Sequence, residues 1–217
     1  DWDAPLVSFE YVSQPRAALG YMFVCVLGIL RALDVLDDPT AGMEEALAVL
    51  EDRKGLFAPE SPLAQNPAKQ LADRLFGKVP IVIAAGALVP VARRWKTQFN
   101  ENSKSWAYFE ALPEMDHNAL SGIHFPPEAA DRFRVILLQQ ASLHPRNALR
   151  LDLTRQVLEG QGIGCERVLV PGGSELAQIL SAVQLGDFAS TYLALLYGAD
   201  PTAIEDIVGL KEQMTDR

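Results

Sequence analysis

Val79-Pro80-Ile81-Val82-Ile83-Ala84-Ala85-Gly86 is the stretch that decides the fold. Its apolar residues, several of them β-branched, run without alternation and stop at a glycine. A strand covered on one face only would alternate apolar with polar. An unbroken run this short fits a strand buried on both faces of a parallel sheet. Downstream, a helix is expected from Val89, a strand at Ala107–Leu112, a turn or short helix at His117–Ser121 and a strand at Arg134–Gln140. A helix at Arg146–Gly160, a strand at Cys165–Val170, a long helix at Ser174–Tyr197 and a last helix at Thr202–Met214 follow. Strands alternating with helices predict an α/β fold, a three-layer parallel sheet covered on both faces. Ligands collect outside the carboxyl ends of such strands, so the loops after Ala85, Leu112, Gln140 and Val170 are the expected site edge, with Glu101 there.

Upstream, residues from Arg16 to Leu36 are helix-compatible and apolar on nearly every face, which predicts a central, mostly buried helix. Pro39 breaks it. Further helices are expected around Glu44–Glu51 and Pro67–Phe76, with a Pro- and Gly-rich loop between them and no strand in residues 16–76. This is a helical connecting region.

The chain has 217 residues, 49% of them hydrophobic, enough for a full core. A formal charge of −9 argues against a nucleic-acid or anionic-membrane partner. The longest apolar run, Ala17–Leu30, is short for a membrane span. Residues 1–10 hold three acids and no base, unlike a signal peptide, and Cys25 and Cys165 lack metal-ligand spacing. They read as reduced core thiols of a cytoplasmic protein. The chain opens without Met, and Pro5-Leu6-Val7 resembles the end of a strand, so a fragment of a longer protein is expected.

Arg93-Arg94-Trp95-Lys96-Thr97-Gln98-Phe99-Asn100-Glu101-Asn102-Ser103-Lys104 carries the densest chemistry. Glu101 sits near a helix end between two asparagines. It reads either as a solvated terminus or as a base in a crowded polar turn. His117 lies 16 residues on, between Asp116 and Asn118, which are placed to orient an imidazole; a plain surface histidine is the other reading. The basic cluster Arg93, Arg94, Lys96 and Lys104 suits a small anion or an ordinary solvated face. Gly172-Gly173-Ser174 precedes the longest helix, and N-capping by Ser174 is favoured over phosphate binding because Glu175 follows. Arg16 follows Pro15 at the mouth of the apolar helix, and Lys211 lies in the last helix. The three histidines show no metal spacing and there is no GxGxxG or Walker pattern, so neither metal nor cofactor is expected.

Gln14-Pro15-Arg16-Ala17-Ala18-Leu19-Gly20-Tyr21, the Arg93–Lys104 run, Pro113–Asn118 and Tyr192–Pro201 together resemble the C-terminal portion of the bifunctional phosphoglucose/phosphomannose isomerases, of SIS (flavodoxin-like) fold. The resemblance covers essentially the whole chain. It implies two domains: residues 1–76 as the end of a first subdomain plus the connecting region, and residues 77–217 as a second SIS-type subdomain with its C-terminal helix. It also implies interconversion of glucose 6-phosphate, mannose 6-phosphate and fructose 6-phosphate through an enediol, without a metal. Glu101 would be the base, Arg16 would stabilise the enediolate, and Lys211 would hand protons to the ring. His117 would assist ring opening from the neighbouring subunit of a homodimer. Ala119 departs from the family, which often has an acid there, and the Ser/Thr-Gly loop that grips the sugar phosphate is absent from the chain. The chain alone is therefore expected to be inactive. The rival readings are a non-catalytic SIS module that binds a sugar phosphate for regulation, and a structural interaction domain.

Overall fold

The structure, a computed structural model, describes residues 6–215. Pro5 of the strand-like opening lies outside them, and Leu6 and Val7 form no strand. A 3-10 turn, Pro15–Ala18, leads into α1 (Leu19–Ala32), followed by α2 (Thr40–Phe57) and α3 (Pro67–Leu75). Then come β1 (Val79–Ala85), α4 (Val89–Ser103), β2 (Tyr108–Leu112), the short α5 (Ala129–Arg132) and β3 (Phe133–Gln139). The chain closes with α6 (Pro145–Gly160), β4 (Gly164–Leu169), α7 (Glu175–Leu196) and α8 (Glu205–Thr215). The four strands lie where the sequence pattern puts them; α2 is longer than expected and α8 starts later.

All strand pairs are parallel, in the order β2-β1-β3-β4. That is the opening of the flavodoxin-like order. Side chains alternate between faces along each strand. Val82, Ala84, Ile136 and Leu138 therefore join Leu71, Trp95 and Ala189 in one core, while Ile83, Ala85, Val135 and Leu137 join Leu151 and Leu158 in another. The result is three layers: α3, α4 and α7, then the sheet, then α6. Phe57, Ala68 and Leu71 share the first core with the sheet, so it runs across the expected division between residues 76 and 77.

The seam between α4 and α7 is close-packed. The buried face of α7 is lined by Ala182, Gly186, Ala189 and Ser190, small residues that let α4 approach. Trp95 is fully buried against this face, and its indole N–H donates to Ala182 O at 2.9 Å. A Cβ on Gly186 would collide with the indole ring.

Two expectations need correction. No residue of α1 is buried; Val24 and Val26 are 52% and 55% exposed. Apolarity on every face says that a helix needs cover, but not that its own chain provides it. By length and composition Pro15–Ala32 and α7 are each long and apolar enough to cross a membrane. In α7 that composition serves a core helix packed between α4 and the α2–α3 pair. The cysteines are free but only half-buried rather than in the core. Burial still pushes the Cys165 thiol up to about 11.

Candidate active site

A helix that follows a parallel strand runs back toward the start of the next one. α4 leaves the carboxyl end of β1 and ends just before β2 begins, where Ala107 N–H donates to Asn100 Oδ1 at 2.8 Å. Glu101, in the last turn of α4, therefore lies at the amino edge of the sheet and not at the carboxyl edge expected for it. The same reasoning brings the C-terminal end of α7 and the loop after it to this edge; Tyr197 Oη accepts from Gly77 N–H just ahead of β1.

The 3-10 turn sets Arg16 against this helix end. Its Nε donates to Asn102 Oδ1 (2.8 Å), Nη1 to Glu101 Oε2 (3.1 Å), and Nη2 to Pro201 O (2.7 Å) and Thr202 O (3.2 Å). A guanidinium carries five N–H groups. Four are matched, and the fifth, on Nη1 beside Glu101, has no partner among the described residues. The Arg16 side chain is 9% exposed and that of Glu101 34%, so the pair is half withdrawn from water. There its attraction exceeds that of a surface pair.

Arg16 is held from behind as well. Its carbonyl accepts from Arg94 Nη2 (3.0 Å), which also donates to Asp187 Oδ2 on α7 (2.8 Å); Gln98 Nε2 donates to Asp187 Oδ1 (2.8 Å). Burial raises the Asp187 carboxyl against the opposing pull of Arg94. Lys104 ends α4 in the left-handed region (φ 54°) and its Nζ reaches Glu101 O (2.7 Å), Asn102 O (3.2 Å) and Asp200 O (2.7 Å). Desolvation, with Arg16 nearby, holds its pKa below the usual lysine range. The Asp200 carboxylate is held low by the hydroxyl and N–H of Thr202. Of the basic cluster, Arg94 and Lys104 thus serve internal partners. A cleft of about 480 Å³ opens here, lined by Glu101, Lys104, Asp200, Glu205 and Asp206 among others.

His117 is elsewhere. It ends the 3-10 turn Glu114–His117 just after β2, at the carboxyl edge, and is exposed. Between the edges lies the length of a strand, roughly 20 Å. Asp116 and Asn118 do not orient its ring. Asp116 accepts from Arg150 Nη1 (2.8 Å) and Thr154 Oγ1 (3.1 Å), and Asn118 Nδ2 donates to Glu114 (3.0 Å). Lys211 is exposed on α8, one turn beyond Ile207, which lines the cleft. Arg16 and Glu101 meet, then, while His117 and Lys211 stand apart from them. Sequence reasoning named Lys104 only within the basic cluster and Asn102 only as a neighbour of Glu101, and it missed Ser190 and the 200–202 loop as partners of these residues and of Arg16. The polar density of residues 100–104 was the available signal. Among the described residues no group of three or more His, Cys, Asp and Glu is placed to hold a metal ion.

The comparisons with known proteins agree with this architecture. Curated relatives are the bifunctional phosphoglucose/phosphomannose isomerases of Caldicellulosiruptor bescii (38% identical, covering 94% of this chain and 60% of that protein) and Aquifex aeolicus (37%, 93% and 58%). The chain thus spans about 60% of the length of these relatives. Among solved structures, a glucose-6-phosphate isomerase like protein from Thermus thermophilus superposes with a TM-score of 0.64 at 26% identity, over 76% of this chain and 56% of that one. Residues 64–214 match the family model of the bacterial phospho-glucose isomerase C-terminal SIS domain, and the chain belongs to that family.

Proposed function

We propose that the protein carrying this chain is a metal-independent aldose–ketose isomerase of hexose 6-phosphates, converting glucose 6-phosphate and mannose 6-phosphate to fructose 6-phosphate. The observation that carries the reading is the Arg16–Glu101 pair with an unmatched Nη1 N–H beside the carboxylate. Isomerisation needs a base that takes a proton from C2 and returns it to C1, and a cation that offsets the charge of the enediolate between those steps. Glu101 serves as the base. The spare N–H of Arg16 meets the enediolate oxygen as charge develops on it. No metal is required, because the guanidinium supplies the electrostatics. A base acting at C2 serves both epimers, which fits the names of the relatives.

His117 assists ring opening in the site of a neighbouring subunit. Its position at the far edge of its own sheet supports that reading, since it stands away from the Glu101 of its own chain. Lys211 hands protons to the ring oxygen from α8. The sugar phosphate is held by the part of the protein that the relatives have and this chain does not. By itself this chain positions no substrate, and it is inactive. The whole works as a homodimer in the cytoplasm, with α1 covered in the assembly.

Glu101→Gln in the full-length enzyme tests the reading. Turnover is expected to fall roughly 10²–10⁴-fold, with the affinity for a sugar-phosphate inhibitor nearly unchanged. Near-normal turnover would remove Glu101 from the mechanism.

A further inference from the structure

Asn102 is 7% exposed and sits between two elements. Its Oδ1 accepts from Arg16 Nε (2.8 Å) and its Nδ2 donates to Ser190 Oγ on α7 (2.9 Å). Ser190 Oγ in turn donates to Asp187 O at 3.0 Å, so its lone pair faces Asn102. These roles fix which way the amide points: guanidinium donates only, so the oxygen must face Arg16. The chain of bonds runs from the α7 backbone through Ser190 and Asn102 to the guanidinium, and ends at Glu101.

We propose that Asn102, anchored by Ser190, is the positioning residue that aims Arg16, and that it is uncharged for a reason. With Nε tied to a neutral amide, Arg16 keeps its charge for Glu101 and for an anionic intermediate at Nη1. A carboxylate at position 102 would share that charge and stand next to Glu101 in sequence. The charged and titratable groups around Glu101 are Arg16 from the first turn, Lys104 capping the end of α4, Asp200 in the loop, and Glu205 and Asp206 on α8; Arg94 and Asp187 lie behind Arg16. An added anion there disfavours the charged form of the base. This inference rests on the isomerase reading for its activity arm only.

The experiment uses the full-length enzyme. Asn102→Asp is expected to keep the fold and an acceptor for Nε. It should move the acid limb of the kcat/KM profile upward by about one pH unit and lower kcat roughly tenfold or more. Ser190→Ala is expected to lower kcat with KM little changed, leaving the limb in place. An unmoved limb in Asn102→Asp, or wild-type kcat in Ser190→Ala, overturns the proposal; should Asn102→Asp fail to fold, Ser190→Ala decides. A readout independent of activity separates this from the isomerase reading. The Arg16 Nε–H proton, followed by ¹⁵N NMR, should exchange slowly in the wild type and quickly in Asn102→Ala. Unchanged exchange sinks the positioning claim whatever the turnover. Normal turnover in Glu101→Gln sinks only the base assignment.

Discussion

At the amino edge of the sheet a cation, Arg16, is folded into the protein and paired with Glu101, whereas at the carboxyl edge an anion has taken the corresponding place. There Glu45 accepts from Gly173 N–H (2.6 Å) and from Ser174 N–H (3.0 Å), and Ser174 Oγ caps α7 by accepting from Ala177 N–H (3.2 Å). A helix N-terminus is ordinarily where a parallel sheet receives a phosphate. In this chain a carboxylate of α2 fills it, and hydrogen bonds from Ser174 and Gly173 hold that carboxylate below its usual range. At the other edge, Glu101 lies at the unfavourable end of the α4 dipole, and Arg16 and Lys104 offset the cost. The difference teaches that both edges of the sheet hold a compensated charge, so position in the sheet alone does not mark the candidate site.

The largest expected effect is on the amino edge. Arg16→Met in the full-length enzyme should lower turnover roughly 10²–10³-fold, the cost of removing a transition-state donor; steady-state kinetics showing only a few-fold loss would break the contrast between the edges. The next test joins the two edges across subunits. If His117 serves a neighbour's Glu101, mixing inactive Glu101→Gln subunits with inactive His117→Asn subunits restores about a quarter of the sites by random pairing in a twofold dimer. No recovery after refolding the mixture would return His117 to the status of a surface residue. Gly186→Ala tests the seam that fixes the amino edge. The added methyl meets Trp95, and urea melts should show a loss of about 1–3 kcal/mol.

The smallest effect belongs to Glu45→Gln. The folded-state pKa of Glu45 is depressed, so its contribution is present above the unfolded-state value and is lost as pH falls through the folded one. The wild type should melt slightly higher than the variant at neutral pH, and the gap should close in acid. A gap that persists in acid would mean that the carboxylate is not what closes the carboxyl edge.

β1 was legible because an unbroken β-branched run has few other uses, and β2, β3 and β4 were legible as short strand-like runs alternating with helices. Glu101 and His117 stand out in the sequence as residue types at a separation, and both were expected at the carboxyl ends of strands; Glu101 lies at the amino edge instead. The return direction of α4 from β1 dictates that Glu101 lies at the amino edge. Asn102 and Lys104 were not legible as partners, because Ser190 Oγ and Asp200 O are 88 and 96 residues away. No local pattern reports such a contact. α1 was misjudged for another reason: its composition is that of a covered helix, and the sequence does not say which surface covers it.

The bare α1 also governs how the isolated chain behaves in a tube. Tyr21, Met22, Val24, Val26 and Ile29 each expose more than two-fifths of their surface. Attraction between such surfaces is driven mainly by water entropy near room temperature and weakens on cooling. Solutions of this chain should therefore clarify in the cold and cloud on warming well below the temperature at which the sheet itself unfolds.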